Sequence, residues 1–505
     1  MHNFHSEMNP GHQDEHQVVP SRVLRKIDRR LIPLLFTTYM LSFMDKTILS
    51  SASVFGLIKD THLVGQQYSW VSSIFYFGFL FWQWPTNFLI PRLPVARYLA
   101  ANTLLWGAVL ALTAACVNYS GLLIVRFLLG IAEATITPAF MFITTTWYTR
   151  DEIPVRTGIW FSGNSLGGLV ASLLAYAIGH TEHPLRPWMW MFIILGITTF
   201  IWGFVIFAFL PDSISNATFL ATEEKSFITR RAVTAGTGRT EGTEWDSEQA
   251  VECFCDPKTW HLLGIAALTQ VPNGGIQNFA NLVIKSFGFT ALESTLINIP
   301  VSIISGATIT LTGWLAGRSR NLNCILIVSV LALSGTGSTL VYARVYHVSL
   351  GVQLLGFFLL ATGPGALPLA MSLAQTNYKG VTKKATMTGS MFVAYCIGNI
   401  TGPHLFRASE APGYGTSFRT ILICYATAAA LSLSLYVYLR RLNARRDREE
   451  GTLGATRLPG AVLNQQPGSQ TGSTEVSPLI RSALPRRDDS DDATDWKTLG
   501  FRYRL

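Results

Sequence analysis

Apolar residues fall into twelve blocks along the chain, over 31–54, 68–90, 98–117, 120–147, 156–179, 188–210, 259–283, 291–313, 324–343, 348–371, 385–406 and 417–439. Most reach the roughly 20 residues that a helix needs to cross a bilayer, and polar stretches separate them. The pattern predicts an all-α membrane protein with twelve transmembrane helices in two six-helix halves, 31–210 and 259–439. A polar segment, 1–30, precedes the first half, and a charged loop, 211–258, joins the two. Residues 440–505 begin basic, turn rich in Gly, Ser, Thr and Pro, and carry the acidic run Asp488, Asp489, Asp491 and Asp492, so a disordered tail is expected there.

Charge sets the orientation. Leaving out 211–258, 19 Lys and Arg flank the blocks on the side of the amino terminus and 6 on the other. The positive-inside rule then places segment 1–30, the central loop and the tail in the cytoplasm. Met1 to Pro20 is polar and His-rich and lacks the apolar core of a cleaved signal peptide, which leaves the first block to serve as the insertion signal.

Composition excludes other classes. The chain is 49% hydrophobic and only 14% charged, with a mean hydropathy of +0.31, whereas soluble proteins carry about 25% charge. Its net charge of +9 is not a nucleic-acid signal, because the basic residues form short clusters between apolar blocks rather than a stripe interleaved with aromatics. Cys116, Cys324, Cys396 and Cys424 lie in apolar blocks; Cys253 and Cys255 alone cannot complete a tetrahedral metal site, and no cofactor or metal is expected. A phosphate loop of the type G-x-x-x-x-G-K-[ST] is absent from the sequence, so an ion gradient or the substrate's own gradient must drive any transport, and an enzyme is not expected.

Against this background four charges inside apolar blocks demand a reason, since each costs roughly 2.5–3.5 kcal/mol at the middle of a membrane helix. Arg126 and Glu133 stand seven apart in LLIVRFLLGIAEATITPAF. Seven helical steps return to within about 20°, so both side chains share one face. Asp45 and Lys46 are neighbours about 100° apart on the first helix and each needs its own partner. Asp45 lies at a depth similar to Arg126 and is expected to pair with it when no substrate is bound, which leaves Lys46 to meet an anion. Glu133 has mostly apolar neighbours, and burial favours the neutral form of a carboxyl, as a proton carrier working near neutral pH requires.

Polar groups continue in the second half. In LTQVPNGGIQNFANLVIK, Pro272, Gly274 and Gly275 are expected to break the helix and expose backbone carbonyls to a cavity. Asn273, Gln277 and Asn281 recur every four residues, an amide stripe fit either to bind a polar substrate or to cross-link helices. Tyr395, Asn399 and His404 in YCIGNITGPHLF are further candidates. Gly163, Gly167 and Ala171 form a small-residue stripe that reads as helix packing.

These residues resemble the major facilitator superfamily and, within it, the fungal allantoate permease family of anion:cation symporters, over roughly residues 20–440. The motifs are RKIDRRLIPLLF with FMDK, WQWPTNFLIPRLPVARYL, RFLLGIAEATITPAF, DPKTW with VPNGGIQNF, TKKATMTG and YCIGNITGPHLF. RFLLG resembles the superfamily's fourth-helix arginine motif, and GWLAGRSR its loop motif repeated in the second half. The resemblance implies a monomeric carrier in the cell membrane, taking up a small organic anion such as allantoate or nicotinate with protons, by alternating access. It implies Asp45 and Glu133 as the proton-coupling pair and the base after Asp45 as the contact for the substrate carboxylate. That base is commonly arginine in the family and is Lys46 here, a point charge in place of a planar fork. SGNSLGG lacks the Gly-Pro of drug:proton antiporters, which favours import over the alternative of exporting a fungal secondary metabolite. A nutrient receptor signalling through the tail is the third reading.

Overall fold

A computed structural model describes residues 11–149, 152–180, 185–234, 245–319, 321–343, 348–411, 413–456, 494–498 and 501–505, and among these the regular structure is entirely helical. Twelve long helices account for most of it: α1 (Arg22–Asp60), α2 (Gln67–Leu89), α3 (Val95–Ala115), α4 (Tyr119–Trp147), α5 (Val155–Gly179), α6 (Pro187–Phe209), α7 (Pro257–Ser286), α8 (Ala291–Arg318), α9 (Asn323–Tyr342), α10 (Leu350–Thr376), α11 (Val381–Thr401) and α12 (Gly415–Arg448). A helix thus occupies every block that the apolar pattern marks. Among the described residues nine of the twelve are long and apolar enough to cross a membrane. The more polar three, α2, α7 and α11, meet where the two groups of six helices face each other, which is where polar side chains have partners.

In the first group α3 packs on α6, α2 on α4, and α1 on α5 and α6; in the second, α7 packs on α11 and α12, and α9 on α10 and α12. Glycines set the closest approaches. A Cβ on Gly78 would stand 2.1 Å from the Phe127 carbonyl oxygen, and one on Gly130 2.0 Å from that of Phe75, so the backbones of α2 and α4 touch. We expect Gly130→Val to destabilise the protein by about 3 kcal/mol, at the upper end of overpacking costs, and thermal unfolding in detergent measures it. The Gly163 and Gly167 stripe does the same for α5 on α1, where added Cβ atoms would meet the Phe36 and Met40 carbonyl oxygens at 2.7 and 2.5 Å.

Three expectations are corrected. First, α7 runs unbroken through Pro272. A proline removes one donor, and the glycines after it serve close packing instead of a break: a Cβ on Gly274 would lie 2.7 Å from Asn399 Cα, and one on Gly398 2.5 Å from Gln270 Cβ. Second, the central loop is partly helical. Thr222–Thr234 is fastened to the first group by Lys26–Glu224 and Arg231–Glu152, both at 2.5 Å, and Ser247–Cys255 packs on α11. Third, the segment 440–505 is not disordered throughout: helix Gly415–Thr456 enters it, and its last described residues include the buried Asp495, Tyr503 and Leu505. Asp488, Asp489, Asp491 and Asp492 lie outside the described residues.

The end of the bundle where α1 begins holds most of the Lys and Arg and is called the basic end below. Hydrogen bonds between the two groups gather at the opposite end. Tyr68 Oη donates to the Asn278 carbonyl at 2.8 Å, and the hydroxyls of Ser69 and Ser73 donate to the carbonyls of Pro403 and Ile400 at 2.9 and 2.7 Å. Helices α5 and α8 splay away from that end. Cβ atoms on Gly179 and Gly168 would meet Leu292 and Ser302, and one on Gly306 would meet Ser165, but those on Gly158, Gly313 and Gly317 nearer the basic end would meet nothing within 4 Å. The bundle is therefore closed at the opposite end and parted at the basic end.

Candidate functional site

Between the groups lies a narrow cleft, lined by Lys46, Leu49, Ser72, Phe75, Tyr76, Arg126, Gln277 and Asn278. Helix geometry places its charges. Asp45 and Lys46 diverge on α1, and α4 presents Arg126 and Glu133 to them from one face. Arg126 Nη1 stands 3.8 Å from Asp45 Oδ1, and Lys46 Nζ stands 2.7 Å from Glu133 Oε2. The expected Asp45–Arg126 pair is present. Lys46 is not left alone: it pairs with Glu133 and donates to Ser42 Oγ at 3.0 Å, and Ser42 in turn donates to Glu133 Oε2 at 2.9 Å.

The environment differs across the four. Asp45, Arg126 and Glu133 are at most 3% exposed, whereas the Lys46 side chain keeps 21%. Asp45 is further held by Trp106, whose Nε1 donates to Oδ2 at 2.8 Å. Arg126 spends little of its donor capacity on the protein: Nε and Nη2 have no hydrogen-bond partner, and neither does Gln277 Nε2. Such buried donors are costly to leave unmet. The Phe192 ring lies 5.4 Å from the guanidinium, and the Phe75 ring 5.6 Å from Lys46 Nζ, so aromatic faces flank both cations.

The amide stripe divides by depth. Gln277 reaches the cleft. Asn273 lies towards the basic end, where it donates to Gln270 Oε1 at 3.1 Å, and Asn399 donates to the same oxygen at 3.1 Å. Asn281 is not a cleft residue. It is fully buried at the opposite end, where its N–H donates to Ser50 Oγ at 3.1 Å and its amide meets Ser51 Oγ at 3.0 Å and the Asn298 amide. Tyr395 stands beside the cleft with its ring 6.0 Å from that of Tyr76, and its carbonyl accepts from Asn399. His404 packs edge-on against Trp70, away from these groups.

Sequence reasoning missed Ser42, Trp106, Gln270 and Tyr76. Ser42 had a signal, since it precedes Lys46 by four and so shares its face. Gln270 precedes Asn273 by three in the same way. Trp106 had none, because nothing in the apolar run of α3 shows which helix its indole will face.

A helical bundle of this kind, with ion pairs buried beside a cleft between two groups of six helices, has the make-up of a membrane carrier. The model of the Major Facilitator Superfamily matches residues 35–403. The chain belongs to that superfamily, and within it to a family like the fungal allantoate permeases. It is 34% identical to an allantoate permease of Saccharomyces cerevisiae over 511 residues, covering 97% of this chain and 88% of that one. It is also 34% identical to an uncharacterized transporter of Schizosaccharomyces pombe over 436 residues, covering 86% and 83%. The fold is similar to that of a bacterial homologue of the human lysosomal transporter Spinster, solved inward-facing and occupied, with a TM-score of 0.61, 14% identity and coverage of 80% of this chain and 96% of that one. The protein is a secondary transporter of small molecules and not an enzyme.

Proposed function

We propose that this transporter imports a small organic anion together with a proton across the cell membrane, with the basic end in the cytoplasm. The observation that carries the reading is that the unmet groups on the residues lining the cleft, Arg126 Nε and Nη2 and Gln277 Nε2, are all donors, while the unmet acceptors of the cluster, Asp45 Oδ1 and Glu133 Oε1, sit on carboxylates that do not line it. A carboxylate or ureide supplies the acceptors that such a set requires. The similarity to an allantoate permease supports the same substrate class.

Charge balance supplies the coupling. Asp45 with Arg126 and Lys46 with Glu133 leave the buried cluster neutral. An anion alone would bring a net negative charge into a low-dielectric site, which is costly. A proton on Glu133 discharges its pair with Lys46 and frees the ammonium for the anion, so proton and monoanion enter one for one. Lys46 and Arg126 then hold the substrate, with Gln277 beside them, while Asn273, Asn399 and Tyr395 shape the cleft on the α7 and α11 side. Asn281, at the closed end, acts in the gate.

The test is cytosolic pH in cells expressing the chain, followed after adding a panel of carboxylates at an outside pH of about 5. Substrate-dependent acidification is expected with at least one small carboxylate. With the protein shown to be at the surface, a panel that produces carboxylate uptake but no acidification would overturn the coupling, and a panel with no uptake would overturn the substrate class.

A further inference from the structure

Outside the transport cleft, the most heavily bonded polar cluster in the described residues lies at the basic end of the second group, and a segment far along the chain completes it. Lys258 at the start of α7 and Lys383 at the start of α11 are both at most 1% exposed. Lys258 Nζ lies 2.5 Å from Asp256 Oδ2 and 2.5 Å from Asp495 Oδ2, and Lys383 Nζ lies 2.7 Å from Glu252 Oε1 and 2.8 Å from Asp495 Oδ1. Burial alone would raise the Asp495 carboxyl, but the two lysines hold it below its ordinary range and it stays charged at neutral pH. Arg446 on α12 fixes the segment's path, donating to the carbonyls of Asp495 and Phe501 at 2.9 and 2.7 Å.

The residues that follow are tied by their backbone, which is how a specific peptide is held in a groove. Tyr503 N–H and carbonyl bond the Asn443 side chain at 3.0 and 2.8 Å, and those of Arg504 bond the Asn377 side chain at 2.7 and 2.9 Å. Tyr503 Oη reaches Asp495 at 2.9 Å. Asn377 and Gly380 belong to the turn between α10 and α11. Gly380 has φ +95°, a conformation that glycine adopts readily and other residues rarely, which lets the chain reverse tightly between the two helices.

The segment therefore ties the α10–α11 turn to α7 and α12. These are the parts of the second group that face the parted basic end, where alternating access requires the two groups to approach. We propose that the described residues 494–498 and 501–505 act as a strap that holds the α10–α11 turn back and so favours the arrangement open at the basic end, and that their release lets the turn swing towards the first group and the opposite end open. The site outlasts the loss of its occupant, because without Asp495 the cluster still pairs Lys258 with Asp256 and Lys383 with Glu252.

Hydrogen exchange on the purified full chain tests this, independently of what the protein carries. In the wild type the amides of Tyr503 and Arg504 are expected to exchange slowly. Asp495→Asn, and separately Arg446→Ala, are expected to release residues 501–505 and also to speed exchange at 66–73 and 400–406, at the opposite end of the bundle, by about fivefold. Fast exchange of 501–505 in the wild type would show that the strap is not docked. A change confined to 377–385 and 501–505 in both variants would show that docking has no reach across the bundle. Either result overturns the proposal.

Discussion

Arg126→Gln lowers uptake by about a hundredfold or more while Lys46 and Glu133 remain paired. Arg126 brings two unmet N–H groups to the cleft, and hydrogen bonds between charged partners contribute about 1.5–3 kcal/mol each, so losing both reaches two orders of magnitude. The same change leaves Asp45 buried without its cation, which in other proteins destabilises by about 3–5 kcal/mol. The two effects separate cleanly: Arg126→Gln with Asp45→Asn should restore thermal stability in detergent without restoring uptake. Arg126→Lys keeps a cation for Asp45 and is expected to spare much of the stability but not the uptake, because an ammonium lacks the planar fork. Uptake per surface-exposed molecule is the measurement, and a double variant that recovers both stability and uptake would remove Arg126 from substrate recognition.

Glu133→Gln is expected to abolish proton coupling. The neutral amide keeps the bond to Ser42 but cannot hold or give up a proton, and Lys46 is freed permanently. Substrate exchange across the membrane should continue, uphill accumulation should fall to the equilibrium ratio, and the acidification that accompanies uptake should vanish. Counterflow and cytosolic pH, measured on the same cells, check the three together. Acidification equal to the wild type would show that another group carries the proton, with Asp45, held by Arg126 and Trp106, the next to examine.

Both predictions rest on residues that the sequence exposes, because a charge in an apolar helix must have a cause. Periodicity alone puts Arg126 and Glu133 on one face and separates Asp45 from Lys46, and the structure pairs them across α1 and α4 accordingly. The same periodicity placed Asn273, Gln277 and Asn281 on one stripe, yet they ended in three environments. Face is not depth, and only the packed bundle shows that Gln277 lines the cleft while Asn281 bonds Ser50 and Ser51 in the closed end.

What the sequence determined by itself is the helical membrane architecture, the family and the cluster of buried charges. These follow from local quantities, namely the length of apolar runs, the 3.6-residue repeat and the cost of a charge in hydrocarbon. What only the tertiary structure decided is which groups meet across helices: Lys46 with Glu133, Trp106 with Asp45, an unbroken α7 seated by its glycines on α11, and Asp495 between two lysines 237 and 112 residues away in sequence. Such contacts depend on how helices rotate and approach each other, and no pattern within one segment records its orientation towards another.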